Sequence, residues 1–345
     1  MERDWALVVG IDRYPLAGVA ALKGAVRDAH EFHRWVTAPQ GGAVPVEHTV
    51  LLTSPPASPA PDSAASADAV ARRPVPVFSD ILRFFENLLA DAGLDGRRLY
   101  VYLSGHGISP TGQEAVRNAA LLMANARPPN QWHSFPGNIW AEGVRSSAMF
   151  QEVVLVMDCC RDLNNNATVF PHIFGDPVED GRSCLLVEAY ATGWASKARE
   201  LPLPPDNSEQ GVFTHSLLHV LRTGRMTGAL LKESVQQHLS KLLQGVKRVQ
   251  QPEIGRDDDL AKVVFNDNAP TPRTDVVLKG HPAKLPAISS VPPGGDLTPV
   301  TLRDWRFNNN GWCGTLEPGT YLFAKPDGGL KQFRVLPGLT EEITV

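Results

Sequence analysis

Two segments of the chain each run an apolar stretch into a reactive side chain. RLYVYLSGHG ends on His106 between two glycines, and EVVLVMDCC ends on Cys159 and Cys160. A thiol beside an imidazole is the minimum equipment of a cysteine nucleophile, because the thiolate attacks and a neighbouring base makes it available near neutral pH. Gly105 and Gly107 leave the backbone around His106 uncrowded, which permits a sharp exit from a strand and close approach of a substrate. Strand alternation sends Cys159 and Cys160 to opposite faces, so only one of them can meet His106. Of the remaining histidines, His30, His33, His215, His219 and His238 fall on predicted helices as surface or packing residues. No pair has the spacing and third ligand of a zinc site, so no metal is expected.

A run that is apolar on both faces belongs inside a parallel sheet, and the carboxyl ends of such strands line the crevice where these sheets bind ligands. The pattern predicts strands over 5–11, 48–53, 98–104, 153–157 and 184–190, and helices over 20–36, 78–90, 212–222 and 228–244. AKVVF at 261–265 is read as the last strand. This alternation predicts an α/β fold: a mostly parallel sheet with helices on both faces. Residues 54–77 are rich in Pro, Ala and Ser without an apolar period, which predicts a flexible insert outside the sheet. The polar stretch 198–211 is read as a loop of the kind that forms lids or binds substrate. After Phe265 the chain becomes Pro- and Gly-punctuated with short strand-like runs, and turn signals at 326–329 and 337–338 suit hairpins. The domains are therefore drawn as 1–268, with the insert, and a small all-β domain over 269–345.

With 345 residues and 43% hydrophobic content the chain can build one large core and a small one. A net charge of −4, with both signs interspersed, argues against nucleic acid or an anionic membrane as the main partner. Four cysteines, two of them adjacent, do not form a disulfide framework and suit a reducing compartment. The start, charged at Glu2, Arg3 and Asp4, leads into a strand too short for a signal-peptide core. No apolar run approaches the ~20 residues of a membrane span. The expected location is cytoplasmic.

The ordered set WALVVGIDRYP, LKGAVRDAHEFHRWV, YLSGHG, VMDCC and GVFTHSLLHVLRTG, spread over roughly residues 5 to 266, resembles the caspase and metacaspase family of cysteine peptidases. Metacaspases typically carry a strand ending in Gly-Ile followed by Asp or Asn, a Cys-x-Asn-Asp-like helix start, a Ser-Gly-His-Gly and an Asp-x-Cys-His-Ser-Gly. The resemblance implies a caspase-like sheet, His106 as the catalytic base and, by aligning Asp158 with the family aspartate, Cys160 as the nucleophile. It also implies that Asp28 and Asp158 face the pocket for the residue before the cut, where paired carboxylates grip Arg or Lys. Read without the family, Asp28 is a helix-start acid and Asp158 a structural acceptor. Caspases proper recognise aspartate through arginines, and no spacing singles out Arg13, Arg27 or Arg161 for that task. The chain departs from the family after the cysteine, where Arg161 and Asp162 replace His-Ser-Gly. An oxyanion held by the Gly107 and Cys160 amides would survive this change, because backbone groups supply it.

The expected function is a cysteine endopeptidase that cuts proteins after Arg or Lys in a regulated signalling or defence cascade. The alternatives are a degenerate caspase-like interaction module, supported by the lost His-Ser-Gly, and a hydrolase of small amides. Arg72 and Arg73 in the insert and Arg182 in VEDGRSC are expected activation cuts, made by the protein itself or by an upstream protease or regulator. No cofactor is expected. Some metacaspases need calcium, but Asp257 to Asp259 lack the alternate spacing of a calcium loop and read as a solvated charge run. Trp132, His133 and Trp140, between His106 and Cys160, are expected to pack in the core rather than line the cleft.

Overall fold

A computed structural model describes residues 3–54, 74–91, 95–110, 118–164, 170–175, 183–246, 250–255, 257–279, 285–292, 296–302, 304–325 and 329–344. The expected cut sites Arg72, Arg73 and Arg182, most of the 54–77 insert, and much of the 326–329 turn lie outside these residues.

The apolar runs pair into one six-stranded sheet in the spatial order Thr49–Thr53, Asp4–Gly10, Gly96–Gly105, Phe150–Cys159, Leu185–Tyr190, Glu253–Gly255. All neighbours are parallel except the last, which runs antiparallel to Leu185–Tyr190. Period-two alternation divides each strand between two cores. Leu7, Val9, Leu99, Val101, Leu103, Val153 and Leu155 pack with the helices Phe78–Ala90 and Gly137–Ser147. Ala6, Val8, Tyr100, Tyr102, Val154 and Val156 pack with Ala25–Thr37, Val212–Leu221 and Gly228–Leu242. The sheet is thus covered on both faces, as continuous apolar strands require.

The two central strands stay together beyond the sheet. Gly105 pairs with Cys159 at the end of the main ladder. After a short gap, Ile108 pairs with Asp162 in a second parallel ladder, between Gly107–Pro110 and Asp162–Asn164. This continuation belongs to a small four-stranded sheet completed by Ala120–Leu122 and Ser134–Pro136.

Three sequence expectations are corrected. AKVVF is a strand only over Val264–Phe265, which pairs antiparallel with Met226–Thr227 outside the main sheet, and its first residues end the helix Asp257–Lys262. The sheet edge is already occupied by Glu253–Gly255, and Phe265 is buried in the core on the sheet's helical face. The first helix begins at Ala25 rather than near residue 20. Leu22 N bonds Asp12 O, and the Lys23 and Gly24 amides bond the Glu200 carboxylate, which fixes the preceding residues as a loop. The stretch 198–211 is a hairpin, Glu200–Leu203 with Ser208–Gly211, closed by a turn in which Asn207 adopts φ 59°. Its polar composition hid two short strands. Trp140 packs in the core among Phe78, Phe85, Phe135 and Phe174, as its aromatic character suggested.

From Thr274 onward the chain builds two further four-stranded sheets around Val276, Leu278, Ile288, Phe323 and Val335. Arg334 forks onto Glu233, and His219 Nε2 meets Gly338 O at 2.8 Å, tying this part to the helices of the main sheet. Among the described residues no helix is long and apolar enough to cross a membrane.

At the opposite end of the sheet from His106, Arg98 is 2% exposed and donates to Glu152 at 2.6 Å, to Tyr100 Oη at 2.9 Å and to Val264 O at 2.7 Å. Removing one partner of such a buried network leaves the others uncompensated. Arg98→Ala is expected to lower stability by about 3–5 kcal/mol, read as a reduced urea midpoint.

Candidate active site

His106 and Cys160 occupy the gap between the two parallel ladders, one on each strand. They line the same cavity of about 340 Å³, together with Asp28, Asp158, Glu200 and Gly211. The sharp exit at His106 comes from Gly105, with φ 154°. A Cβ there would lie 2.5 Å from Tyr14 Oη, and a Cβ on Gly107 would lie 2.5 Å from Cys159 Sγ and 2.3 Å from Cys160 O. The glycines on either side of the imidazole therefore allow two chains to touch where the chemistry would occur.

The imidazole is held from two sides. Its backbone N–H donates to Tyr14 Oη at 2.8 Å, and the tyrosine ring packs 5.0 Å from it. Its Nε2 lies 2.8 Å from Ala20 O. A carbonyl can only accept, so this bond places the proton on Nε2 and leaves the Nδ1 lone pair as the basic position.

Both cysteines line the cavity, but Cys159 is buried and packs in the core beneath the sheet, whereas Cys160 is half-buried. Burial pushes both thiols up. Cys160 Sγ lies 3.8 Å from Ala198 O, and Lys197 partly opposes the upward shift. Lys197 also pairs with Asp162 at 3.5 Å on the rim. Cys160 is thus a protonated thiol at rest that needs a base. Arg161 is not directed at it. The guanidinium turns to Glu253 and lies 4.3 Å over the Tyr190 ring. Arg27 pairs with Asp206 outside the cavity, while Lys197 and Arg199 are the cations on its wall.

Asp28 and Asp158, predicted as a pair, meet under Gly211. Gly211 N donates to Asp28 Oδ2 at 2.7 Å, and Thr214 donates to Asp158 Oδ2 from N at 3.0 Å and from Oγ1 at 2.7 Å. A Cβ on Gly211 would fall 2.2 Å from Asp158 Oδ2, so only glycine lets the hairpin pass over both acids. The carboxyls are 2% and 6% exposed. Burial raises both, with mutual repulsion adding at Asp28 and repulsion by Glu200 at both; Asp158 reaches about 6. Such a cluster favours a cation that enters from outside.

Tyr14, Ala20, Glu200, Gly211 and Thr214 escaped the sequence reading. Ala20 acts through a backbone oxygen, which has no residue signature. Tyr14 stands within the first motif and Gly211 opens GVFTHSLL, so their places were visible but not their contacts.

Among known proteins, no family model matches the chain. A probable protease from a Desulfuromonadales bacterium is 31% identical over 243 residues, covering 64% of this chain and 26% of the relative, so the chain spans about a quarter of that relative's length. Caspase-1 of Spodoptera frugiperda is similar to 74% of this chain, covering 88% of its own, with 12% identity and a TM-score of 0.44. A pro-sf-caspase-1 structure is similar over 74% and 91% of the two chains, with 11% identity and a TM-score of 0.42. In sequence the chain is similar to a probable protease, and in solved structure it is similar, at low identity, to caspases.

Proposed function

We propose that the chain is a cysteine endopeptidase that cuts protein substrates on the carboxyl side of Arg or Lys, with Cys160 as nucleophile and His106 as base. The observation that supports this reading best is the single cavity that joins an imidazole of fixed tautomer, a half-buried thiol and a cluster of carboxylates. In this mechanism His106 Nδ1 takes the Cys160 proton as sulfur attacks the scissile carbonyl. The amides of Gly107 and Cys160 stabilise the oxyanion, and the imidazolium returns the proton to the leaving amine. Water, activated by the same imidazole, then releases the acid from the thioester. Asp28, Asp158 and Glu200 receive the basic side chain before the cut, and a guanidinium matches paired carboxylates best.

The loss of His-Ser-Gly after the cysteine does not weaken this reading, because Arg161 anchors the strand exit against Glu253 and Tyr190 while the thiol remains at the cavity. A place in a regulated cascade, with an upstream protease or regulator as partner, is part of the proposal by analogy with caspases.

Cys160→Ala is expected to abolish cleavage of Arg and Lys reporter peptides, and His106→Ala to slow it by about 10³-fold or more, while Cys159→Ala retains cleavage. Turnover by Cys160→Ala equal to the parent would refute the assignment. Asp158→Asn is expected to lower kcat/KM for Arg reporters by about 100-fold with a smaller effect on neutral ones, since a buried charged contact is lost.

The raised carboxyls give the pocket a pH signature. Above about pH 6 Asp158 is ionised and holds the cation; below it the proton occupies the site. KM for Arg reporters should therefore rise as the pH falls from about 7.5 to about 5.5, more steeply than for a neutral reporter. Steady-state profiles with both substrates check this, and parallel curves would count against the acidic pocket.

A further inference from the structure

The loop that orients His106 has one turn of its own, Ala17 N to Tyr14 O at 3.0 Å, and is otherwise held by residues outside it. Between Tyr14 and the helix Ala25–Thr37, three successive amides are held from elsewhere. Leu22 N donates to Asp12 O at 2.9 Å, Lys23 N to Glu200 Oε2 at 3.1 Å and Gly24 N to Glu200 Oε1 at 2.9 Å. Gly24 has no side chain with which to cap the helix; Asp12 Oδ1 accepts from Val26 N at 3.1 Å in its place, while Glu200 holds the two residues just before the helix. Ala20, whose carbonyl fixes the imidazole tautomer, stands two residues before this anchored run. A Cβ on Gly24 would lie 3.0 Å from both Glu200 Oε1 and Gln210 Cα, which shows how closely the loop lies on the hairpin.

Glu200 also faces the cavity that holds Asp28 and Asp158. Its strand neighbour across the hairpin is Gly211, whose amide binds Asp28. One side chain therefore touches both the wall that would receive the basic residue and the loop that holds the base.

We propose that Glu200 is a positioning residue for His106: its two oxygens hold the Lys23 and Gly24 amides, and thereby the Ala20 carbonyl, in the place that binds Nε2 and keeps Nδ1 the free, basic nitrogen. This rests on the reading of His106 and Cys160 as base and nucleophile. It adds that occupancy of the acidic pocket and alignment of the base are joined through one carboxylate. A displacement of about 1 Å in a catalytic group can cost about 100-fold in rate, so the two bonds from Glu200 are enough to matter.

The test separates position from charge, because the two act in opposite directions on the thiol. Removing a negative charge near Cys160 by itself favours the thiolate and speeds its alkylation. Losing the orientation of His106 slows it. The full chain and the variants Glu200→Ala, Glu200→Gln and His106→Ala are treated with iodoacetamide across the pH range. The rate at Cys160 is read by fragment mass spectrometry, with Cys160→Ala as the blank, and circular dichroism confirms that each variant is folded.

In Glu200→Ala, alkylation near pH 7 is expected to fall by about tenfold and the profile to approach that of His106→Ala. Glu200→Gln keeps one oxygen to accept from the loop and sets an NH2 against the other amide, so its alkylation rate should fall between those of the parent and Glu200→Ala while its KM for an Arg reporter rises by about tenfold. Alkylation of Glu200→Ala as fast as or faster than the parent would overturn the proposal, as would a Glu200→Gln protein as slow as Glu200→Ala. The alkylation arm needs no peptide substrate. If no variant or parent cleaves reporters, the endopeptidase reading fails while the positioning of His106 is still decided.

Discussion

The site depends on one constraint: two parallel strands that remain neighbours across a gap. Gly96–Gly105 and Phe150–Cys159 are hydrogen-bonded to Gly105 and Cys159, and their continuations re-pair at Ile108 and Asp162. The residues between, His106 with Gly107 and Cys160 with Arg161, have no freedom to separate, because the chain is fixed at both ends of the gap. The two ladders therefore set how near the imidazole and the thiol can be, and the apolar packing on both sheet faces holds the ladders. Parallel pairing of this kind needs crossover connections, and the crossover helix Ala25–Thr37 delivers Asp28 to the rim, which Thr214 reaches from the helix that follows Leu185–Tyr190.

Burial has opposite uses on the two sides of the cavity. It keeps the Cys160 thiol protonated, so reactivity waits for a base placed beside it. It raises Asp28 and Asp158, and the charge of Glu200 adds to the rise at both. The amino end of the helix Ala25–Thr37 points into this acidic region and offsets part of its charge. The hairpin Glu200–Leu203 with Ser208–Gly211 closes over it, with a glycine where the two carboxylates leave no room for a side chain. The shape of the cavity is thus set by a few close backbone approaches.

Much of this was legible in the sequence. Both-face apolar runs gave the parallel sheet, and His106 and Cys160 lay at the same end of adjacent strands because each followed such a run. Asp158 and Asp28 were found by resemblance, and the hydrogen bonds to Gly211 and Thr214 explain how they stay together. Cys160 was separated from Cys159 by family register alone; the structure adds that Cys159 is the more deeply buried of the two. What could not be read was either a backbone atom, as with the Ala20 carbonyl, or a long-range partner in a polar segment, as with Glu200 in 198–211. The short strands of the small sheet were hidden for the same reason: three-residue pairs carry too little periodicity to register. Arg161 could be placed beside the thiol in sequence but not oriented, and its stacking on Tyr190 depends on a strand about thirty residues away.

The central claim is that a thiol, a base and an acidic pocket act at one place. Incubating the protein with a peptidyl-arginine chloromethyl ketone and with its aspartate counterpart, then mapping the adduct by mass spectrometry, tests it most directly. The account predicts rapid modification of Cys160 by the arginine reagent, slow modification by the aspartate reagent, and none at Cys159. Equal rates with the two reagents, or an adduct on Cys159 instead, would contradict it.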